Sequence, residues 1–146
     1  TEQGMSNVEP CGDTMDTNQK RQFDLEERLI EFSCMIIDIV EALPDTKVGN
    51  HVAGQILRSG TSPAPNYAEA TSAESRQDFI HKMKVSLKEF RETNVWLKVI
   101  KRKALVKPLE KVEFALGECR ELISIFVASV ATAQRNLKAA SKEKAK

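Results

Sequence analysis

The strongest constraint on the fold of this chain is an unbroken spacing of apolar residues near its end. The positions that carry this spacing are Val112, Leu116, Cys119, Ile123, Phe126, Val130, Ala133 and Leu137. Alternating steps of four and three residues return to the same face of an α-helix, so the segment predicts a long helix with one apolar stripe. Such a stripe must be covered by other helices, because an isolated helix has nothing to bury it against.

Two earlier segments share this spacing, and each predicts a further bundle helix. The first helix begins near Asp24 and is stopped by Pro44. Its apolar positions are Leu25, Leu29, Phe32, Ile36, Ile39 and Leu43. The third helix begins at Ser75, a good capping residue, and runs to about Arg102. Its core positions are Phe79, Met83, Leu87, Phe90 and Leu97. The fourth helix begins around Pro108, since proline suits a first helical turn.

The second helix is predicted to begin after Thr46 and to contain a bend. Its inward positions are Val48, Val52 and Ile56. Pro63 and Pro65 each remove a backbone donor, so the helix either ends near Gly60 and restarts or bends there. We favour the bend, because the polar residues between positions 55 and 69 keep one helical phase throughout.

These segments together predict an all-α fold, an up-down-up-down antiparallel four-helix bundle, because short connections make successive helices antiparallel neighbours. Residues 23–139 form the bundle domain. Residues 1–22 lack apolar periodicity and are expected to be a flexible leader, which can include residues introduced by cloning. Residues 140–146 are rich in Lys and Ala and are expected to fray as a basic tail.

Charge is distributed unevenly along the chain. The formal net charge of the 146 residues is only +1. Residues 1–50, however, contain four Lys/Arg and eleven Asp/Glu, whereas residues 76–111 contain eleven Lys/Arg and four Asp/Glu. The first stretch is therefore net −7 and the second net +7. A basic half can attract polyanions even on a protein that is nearly neutral overall.

A polar seam interrupts the apolar pattern on two of the helices. Its predicted members are Gln55, Arg58, Ser62, Asn66 and Glu69 on the second helix and Glu89, Glu92 and Trp96 on the third, with Ser59 at the same spacing. Carboxylates are costly to bury unless they are paired, so Arg58 is expected to form an ion pair with a glutamate of the third helix. We interpret the seam as a hydrogen-bonded network that sets helix register or subunit pairing. Trp96 is predicted either to anchor the core or to lie at a subunit contact.

The third helix carries a stripe of cations. The predicted nucleic-acid-binding residues are Lys82, Lys84, Lys88, Arg91, Lys98, Lys101, Arg102 and Lys103. Clustered cations on a rigid helix are typical of phosphate binding, which is driven by release of condensed counterions. The alternative interpretation is a solvated helix face, because no aromatic residues that could stack on bases lie between these cations.

The composition excludes several other classes of function. Cys11, Cys34 and Cys119 cannot all pair within one chain, and the two in helical patterns suit packing in a reduced, cytoplasmic protein. With only His51 and His81, and no Glu-x-x-His pair, we expect neither a metal site nor a di-iron bundle, and no cofactor. No apolar run approaches the ~20 residues that span a bilayer. We expect no enzyme activity, since no nucleophile and base stand at a recognisable spacing.

Several of these segments together resemble the 23S rRNA intervening-sequence proteins of bacteria. The similarity is carried by QILRSGTS at 55–62, NYAEA at 66–70, DFIHK at 78–82 and SLKEFRETNVWL at 86–97, and it extends over about residues 23–139. Pro65 departs from the family pattern. The resemblance implies a four-helix bundle that assembles as a ring-like homopentamer, with members encoded inside segments inserted into ribosomal RNA genes. It also implies a relation to the accessory proteins of diversity-generating retroelements, which bind nucleic acid and a reverse transcriptase.

The sequence therefore predicts a non-enzymatic, oligomeric, cytoplasmic bundle whose basic third helix and tail bind RNA or another structured nucleic acid. The alternative is a protein-interaction scaffold without nucleic-acid binding. In that case the acidic first helix of one subunit would meet the basic third helix of the next. A partner protein is a further expected class of ligand.

Overall fold

Residues 17–145 are described by the structure, a computed structural model in which side chains are described for Thr17 and from Asp24 onward. Five helical segments follow one another: α1 (Thr17–Ala42), α2 (Lys47–Thr61), α3 (Pro63–Thr71), α4 (Arg76–Arg102) and α5 (Leu109–Lys144). No strand occurs among the described residues. Because α2 and α3 are the two halves of one bent helix, the architecture is the predicted antiparallel four-helix bundle.

The helix ends lie where the local chemistry predicts them. The hydroxyl of Thr46 accepts a hydrogen bond from the backbone N–H of Gly49 at 3.0 Å and caps α2. The hydroxyl of Ser75 accepts one from the N–H of Asp78 at 3.1 Å and caps α4. Each satisfies a donor that the first helical turn leaves without a partner. Pro108 directly precedes α5 in an extended conformation.

The bend in the second helix is confirmed, and it is centred on Ser62. The N–H of Ser62 bonds to the carbonyl of Arg58 at 3.2 Å, and the N–H of Asn66 bonds to the carbonyl of Ser62 at 3.2 Å. Helical hydrogen bonds thus continue on both sides of the bend, while Pro63 and Pro65 have no N–H to donate. The helix therefore changes direction without losing phase, with Arg58 one turn before Ser62 and Asn66 one turn after it.

The core lies between two diagonal pairs of helices. α1 packs on α2, α3 and α5, and α4 also packs on α2, α3 and α5. α1 and α4 thus lie diagonally across the bundle. Their aromatic rings meet at its centre, where the centroids of Phe32 and Phe90 are 5.7 Å apart, edge to face. Phe126 of α5 adds a second edge contact to Phe90 at 5.1 Å and a third to Tyr67 of α3 at 5.9 Å. Offset geometries of this kind stabilise a core beyond simple area burial.

Some boundaries and orientations differ from the sequence-based expectations. α1 begins at Thr17 rather than near Asp24, and α5 continues to Lys144 through the stretch expected to fray. Residues 1–16 of the expected leader, with Cys11, lie outside the described residues. Val48 is 58% exposed rather than inward, because the first turn of α2 buries the next residue, Gly49, instead. Cys34 is exposed, whereas Cys119 is fully buried.

Within residues 17–145, no helix combines the length and the apolar character that a bilayer-spanning segment requires.

Candidate nucleic-acid interface

The polar seam forms an ion-pair network at the contact between α2 and α4. Nη1 of Arg58 lies 3.0 Å from Oε2 of Glu89, and Nη2 lies 2.5 Å from Oε2 of Glu92. The indole Nε1 of Trp96 donates to the same oxygen of Glu92 at 3.2 Å. The hydrogen bond from Arg58 is the main cause that lowers the pKa of Glu92 below its ordinary value. The predicted pairing of Arg58 with the glutamates is therefore present within one chain.

The network lies at the rim of the bundle rather than inside it. The side chain of Arg58 is 53% exposed and that of Glu92 is 35% exposed. His51 of α2 packs its ring edge against Trp96, with centroids 6.0 Å apart. Because these groups remain in contact with water, their ion pairs add little to stability, and their main effect is to favour one register of α2 against α4.

The other predicted members of the seam do not join this network. Nδ2 of Asn66 donates to the hydroxyl of Ser62 at 2.9 Å and to its carbonyl at 3.0 Å, across the bend. Glu69 instead pairs with Lys82, with Oε1 and Nζ 2.6 Å apart. Gln55 is half-buried. The seam thus separates into a central cluster between α2 and α4, a contact across the bend, and an ion pair between α3 and α4.

A buried hydroxyl pair lies directly beneath the seam. Oγ1 of Thr93 is 2.9 Å from Oγ of Ser59 and 2.8 Å from the backbone carbonyl of Glu89. Both side chains are completely buried. Sequence reasoning included Ser59 but missed Thr93, although its place between the core residues Phe90 and Leu97 is a signal that could have identified it. Satisfied hydroxyls in a core favour one helix register, because any slip would leave them without partners.

The cationic stripe of α4 lies on its outward surface. From His81 to Lys103 the exposed positions of α4 and its C-cap are His81, Lys84, Lys88, Arg91, Val95, Lys98, Lys101, Arg102 and Lys103. Seven of these nine residues are cations and none is acidic. The glutamates of α4, Glu89 and Glu92, lie on the flank that faces α2. The helix therefore separates its charges by face, with carboxylates toward a neighbour and cations toward solvent.

Two of the predicted cations are paired within the chain. Lys82 is half-buried on the flank that faces α3, where it contacts Glu69. This places it apart from the outward stripe, on the side of α4 that packs against α3. Lys101 approaches Glu113 of α5 at 3.5 Å. For the remaining six cations of the stripe, no carboxylate lies within 4.0 Å among the described residues.

Arg120 of α5 extends the basic surface, and sequence reasoning missed it. Lys98, Lys101 and Arg102 of α4 and Arg120 of α5 line one groove between the two helices. Arg120 directly follows the buried Cys119, so its side chain projects from the edge of the core stripe. Helix spacing could have suggested this position, but only the packing of α5 on α4 brings it beside the stripe.

The outward face of α1 has the opposite charge. From Asp24 to Ala42 its exposed residues are Asp24, Glu27, Ile30, Glu31, Cys34, Ile37, Asp38, Glu41 and Ala42. Five are acidic and none is a cation. Since α1 and α4 are diagonal partners, the acidic and basic surfaces point in opposite directions from the bundle.

A second charged contact joins the first and last helices of the bundle. Arg28 of α1 donates to both carboxylate oxygens of Glu118, at 2.7 and 2.8 Å, and to Glu121 at 2.8 Å. Neither partner was predicted from the sequence. Among the side chains of the described residues, no group of three His, Cys, Asp or Glu residues converges in a way that could hold a metal ion.

Fold and charge together define this molecule as an antiparallel four-helix-bundle protein with outer faces of opposite sign. The chain belongs to the 23S rRNA-intervening sequence protein family, whose family model matches residues 21–128. A crystal structure of a protein with unknown function from Bacteroides thetaiotaomicron, described as a member of the S23 ribosomal protein family, is similar to it. The two are 31% identical with a TM-score of 0.67, over 73% of this chain and 97% of the other. No curated protein matches the chain.

Proposed function

We propose that this protein is a non-enzymatic, cytoplasmic bundle that binds RNA or another structured nucleic acid through the outward face of α4. The observation that carries the proposal is the composition of that face, where seven of nine exposed residues from His81 to Lys103 are cations and none is acidic. A solvated surface helix ordinarily mixes both signs, because alternating charges support the helix and limit self-repulsion.

The arrangement suits a polyanion for two physical reasons. A helix rises 1.5 Å per residue, so the cations from Lys84 to Arg102 extend over roughly 27 Å on a rigid support. Binding along this length would release the counterions condensed on several phosphates, which is the main driving force for such contacts. The name of the family refers to 23S rRNA, which favours RNA as the ligand class.

The test is a charge reversal at the centre of the stripe. The double variant Lys88→Glu/Arg91→Glu should weaken RNA binding about 10- to 100-fold, and the dependence of log K on log salt should become shallower by about one unit for each phosphate contact that is lost. The matched control is Lys47→Glu/Arg135→Glu, which makes the same change in net charge at exposed sites of α2 and α5. Equal effects of the two double variants, or none in either, would reject the proposal.

A second candidate function is self-assembly through opposite charges. The specific observation that favours it is the diagonal placement of an acidic α1 face and a basic α4 face on one bundle. The acidic face of one subunit can attract the basic face of the next, which gives a head-to-tail contact. Repeated contacts of this kind close into a ring when the rotation between subunits permits. The homopentamer implied by the family resemblance is an assembly of this type. In this reading, the cations of α4 are covered by the next subunit.

A charge swap distinguishes the two functions. If α1 of one subunit contacts α4 of the next, Glu31→Lys/Asp38→Lys should reduce the oligomeric mass, and combining it with Lys88→Glu/Arg91→Glu should restore that mass. Light scattering after gel filtration at low and high salt gives the readout. If the oligomeric mass stays at the wild-type value in both the Glu31→Lys/Asp38→Lys variant and the combined variant, assembly through these faces is excluded and the stripe is open to nucleic acid.

A further inference from the structure

The groove between α4 and α5 has chemistry that the stripe alone lacks. It has a volume of about 500 Å³ and is lined by Lys98, Lys101, Arg102 and Arg120 together with Leu109 and Leu116. The volume falls within the ~300–1,000 Å³ typical of small-ligand sites. Four cations from two helices thus flank two leucines. Lys101 also contacts Glu113 of α5 at 3.5 Å, and for the other three no carboxylate lies within 4.0 Å among the described residues.

Leu109 provides most of the apolar surface between the charged walls, and Leu116 closes the groove beneath it. Leu116 is buried and belongs to the core, so its position is set by packing. Leu109 is the first residue of α5 and is half-buried. The flat face of a nucleobase can rest on aliphatic side chains of this kind while cations hold its phosphate.

Two other grooves among the described residues lack this cationic lining. A groove of about 410 Å³ farther along α5 is lined by Phe79, Ala128, Ser129, Thr132, Ala133 and Asn136, without a charged group. Another groove of similar size, beside Phe114, is lined by Glu113, Glu118 and Glu121. A smaller basic groove of about 280 Å³ shares Lys98 and Arg102 with the first and adds Lys103. Lys98 and Arg102 therefore form a ridge between two basic grooves, over which a backbone of phosphates can continue.

We propose that the α4–α5 groove binds one unpaired nucleotide of a single-stranded nucleic acid, with its base on Leu109 and its phosphate between Arg102 and Arg120. The recognised group is a nucleoside monophosphate. It belongs to the nucleic-acid strand whose other phosphates lie along the cationic stripe of α4. The inference rests on the proposed function for the class of ligand. It adds a preference for single strands, because bases stacked in a duplex have no free face to present.

The experiment compares two arginines of the same helix. Arg120→Gln removes a cation from the groove, and Arg135→Gln removes one that is exposed elsewhere on α5 and donates a hydrogen bond to Thr132. Binding of a labelled eight-residue oligouridylate is measured by fluorescence anisotropy, beside an RNA duplex of the same length. We expect Arg120→Gln to weaken single-strand binding at least 5-fold and duplex binding less than 2-fold, and Arg135→Gln to change both less than 2-fold.

A variant without charge change tests the apolar surface. Leu109→Ser should also weaken single-strand binding several-fold while it leaves duplex binding unchanged, and serine is well accepted at the start of a helix. Circular dichroism confirms that each variant is folded. Wild-type single-strand affinity in both Leu109→Ser and Arg120→Gln would overturn the inference.

The outcomes separate this inference from the proposed function. If Lys88→Glu/Arg91→Glu abolishes binding of both RNAs while the groove variants bind as wild type does, the inference fails and the function stands. If no RNA binds but free uridine monophosphate binds in a way that depends on Arg120, the groove is a nucleotide site and the proposed function fails. Competition of the monophosphate with oligouridylate, lost in Arg120→Gln, supports both.

Discussion

Arg28 on α1 donates two parallel hydrogen bonds to Glu118 on α5, from Nε to Oε2 at 2.7 Å and from Nη2 to Oε1 at 2.8 Å. The two residues are 90 positions apart in the chain. Only 14% of the Glu118 side chain is exposed, so this pair is better shielded from water than the Arg58–Glu92 pair between α2 and α4, whose side chains are 53% and 35% exposed. A bidentate geometry also fixes the orientation of the two side chains relative to each other, so the pair links the first and last helices in one arrangement.

Removing this ion pair should destabilise the bundle. We expect Arg28→Gln to lower the free energy of unfolding by about 1–2 kcal/mol, because Glu118 then stays partly buried without its cation. The double variant Arg28→Gln/Glu118→Gln should lose less than the sum of the two single variants. Urea denaturation followed by circular dichroism measures this coupling. Arg91→Gln, on an exposed arginine of α4, serves as the control and should change stability by less than about 0.5 kcal/mol.

Acid should remove the contribution of the same pair. The hydrogen bond from Arg28 is the main cause that lowers the pKa of Glu118 below its ordinary value of 4.5. A carboxyl whose pKa is lower in the folded state stabilises the fold above its unfolded pKa, and that stabilisation is lost as the pH falls through the folded pKa. The stability difference between wild type and Arg28→Gln should therefore be constant from about pH 7 to 5 and shrink toward about pH 3. A difference that grows in acid would contradict this assignment.

Two glycines of α2 should respond in opposite ways to alanine. A Cβ at Gly60 would lie 2.7 and 2.8 Å from the two Cγ atoms of Ile36, a branched side chain that is fully buried. A Cβ at Gly54 would have no atom within 4 Å. We expect Gly60→Ala to destabilise the protein by about 1–3 kcal/mol through overpacking. Gly54→Ala should stabilise it by about 0.5–1 kcal/mol through the higher helix propensity of alanine.

Thermal unfolding of the two variants gives the comparison directly. Because both substitutions add one methyl group to the same helix, any general effect on α2 cancels between them. A stabilised Gly60→Ala would mean that α1 and α2 do not approach as closely as the structure shows.

The cysteines at 34 and 119 should differ sharply in reactivity. Burial raises the pKa of Cys119 to about 12, and its Sγ lies 3.4 Å from the carbonyl oxygen of Phe90. The thiolate is the nucleophile, so a buried thiol with so high a pKa is inert near neutral pH. Cys34 is exposed on the outer face of α1. Peptide mapping after brief treatment with N-ethylmaleimide should find Cys34 modified and Cys119 protected, and both modified once the protein is unfolded in denaturant.

Helix positions and the apolar faces were predictable because both depend on interactions close in sequence. The caps at Thr46 and Ser75 act within one turn, and the spacing from Val112 to Leu137 defines one helix face without knowledge of the partners. The bend near Pro63 followed from missing backbone donors. The cations of α4 were also predictable as a stripe, since all of them lie on one helix.

Contacts between helices depend on how the bundle closes, and the tertiary structure alone decided them. No local pattern tells which glutamate faces Arg28, that Lys82 turns toward Glu69, or that Arg120 comes beside Lys98. Side-chain packing in the centre sets the rotation of each helix about its own axis, and a small rotation changes every partner at the rim. The sequence by itself determined four amphipathic helices and the charges that each one carries. The packed core determined which charges neutralise each other and which remain exposed.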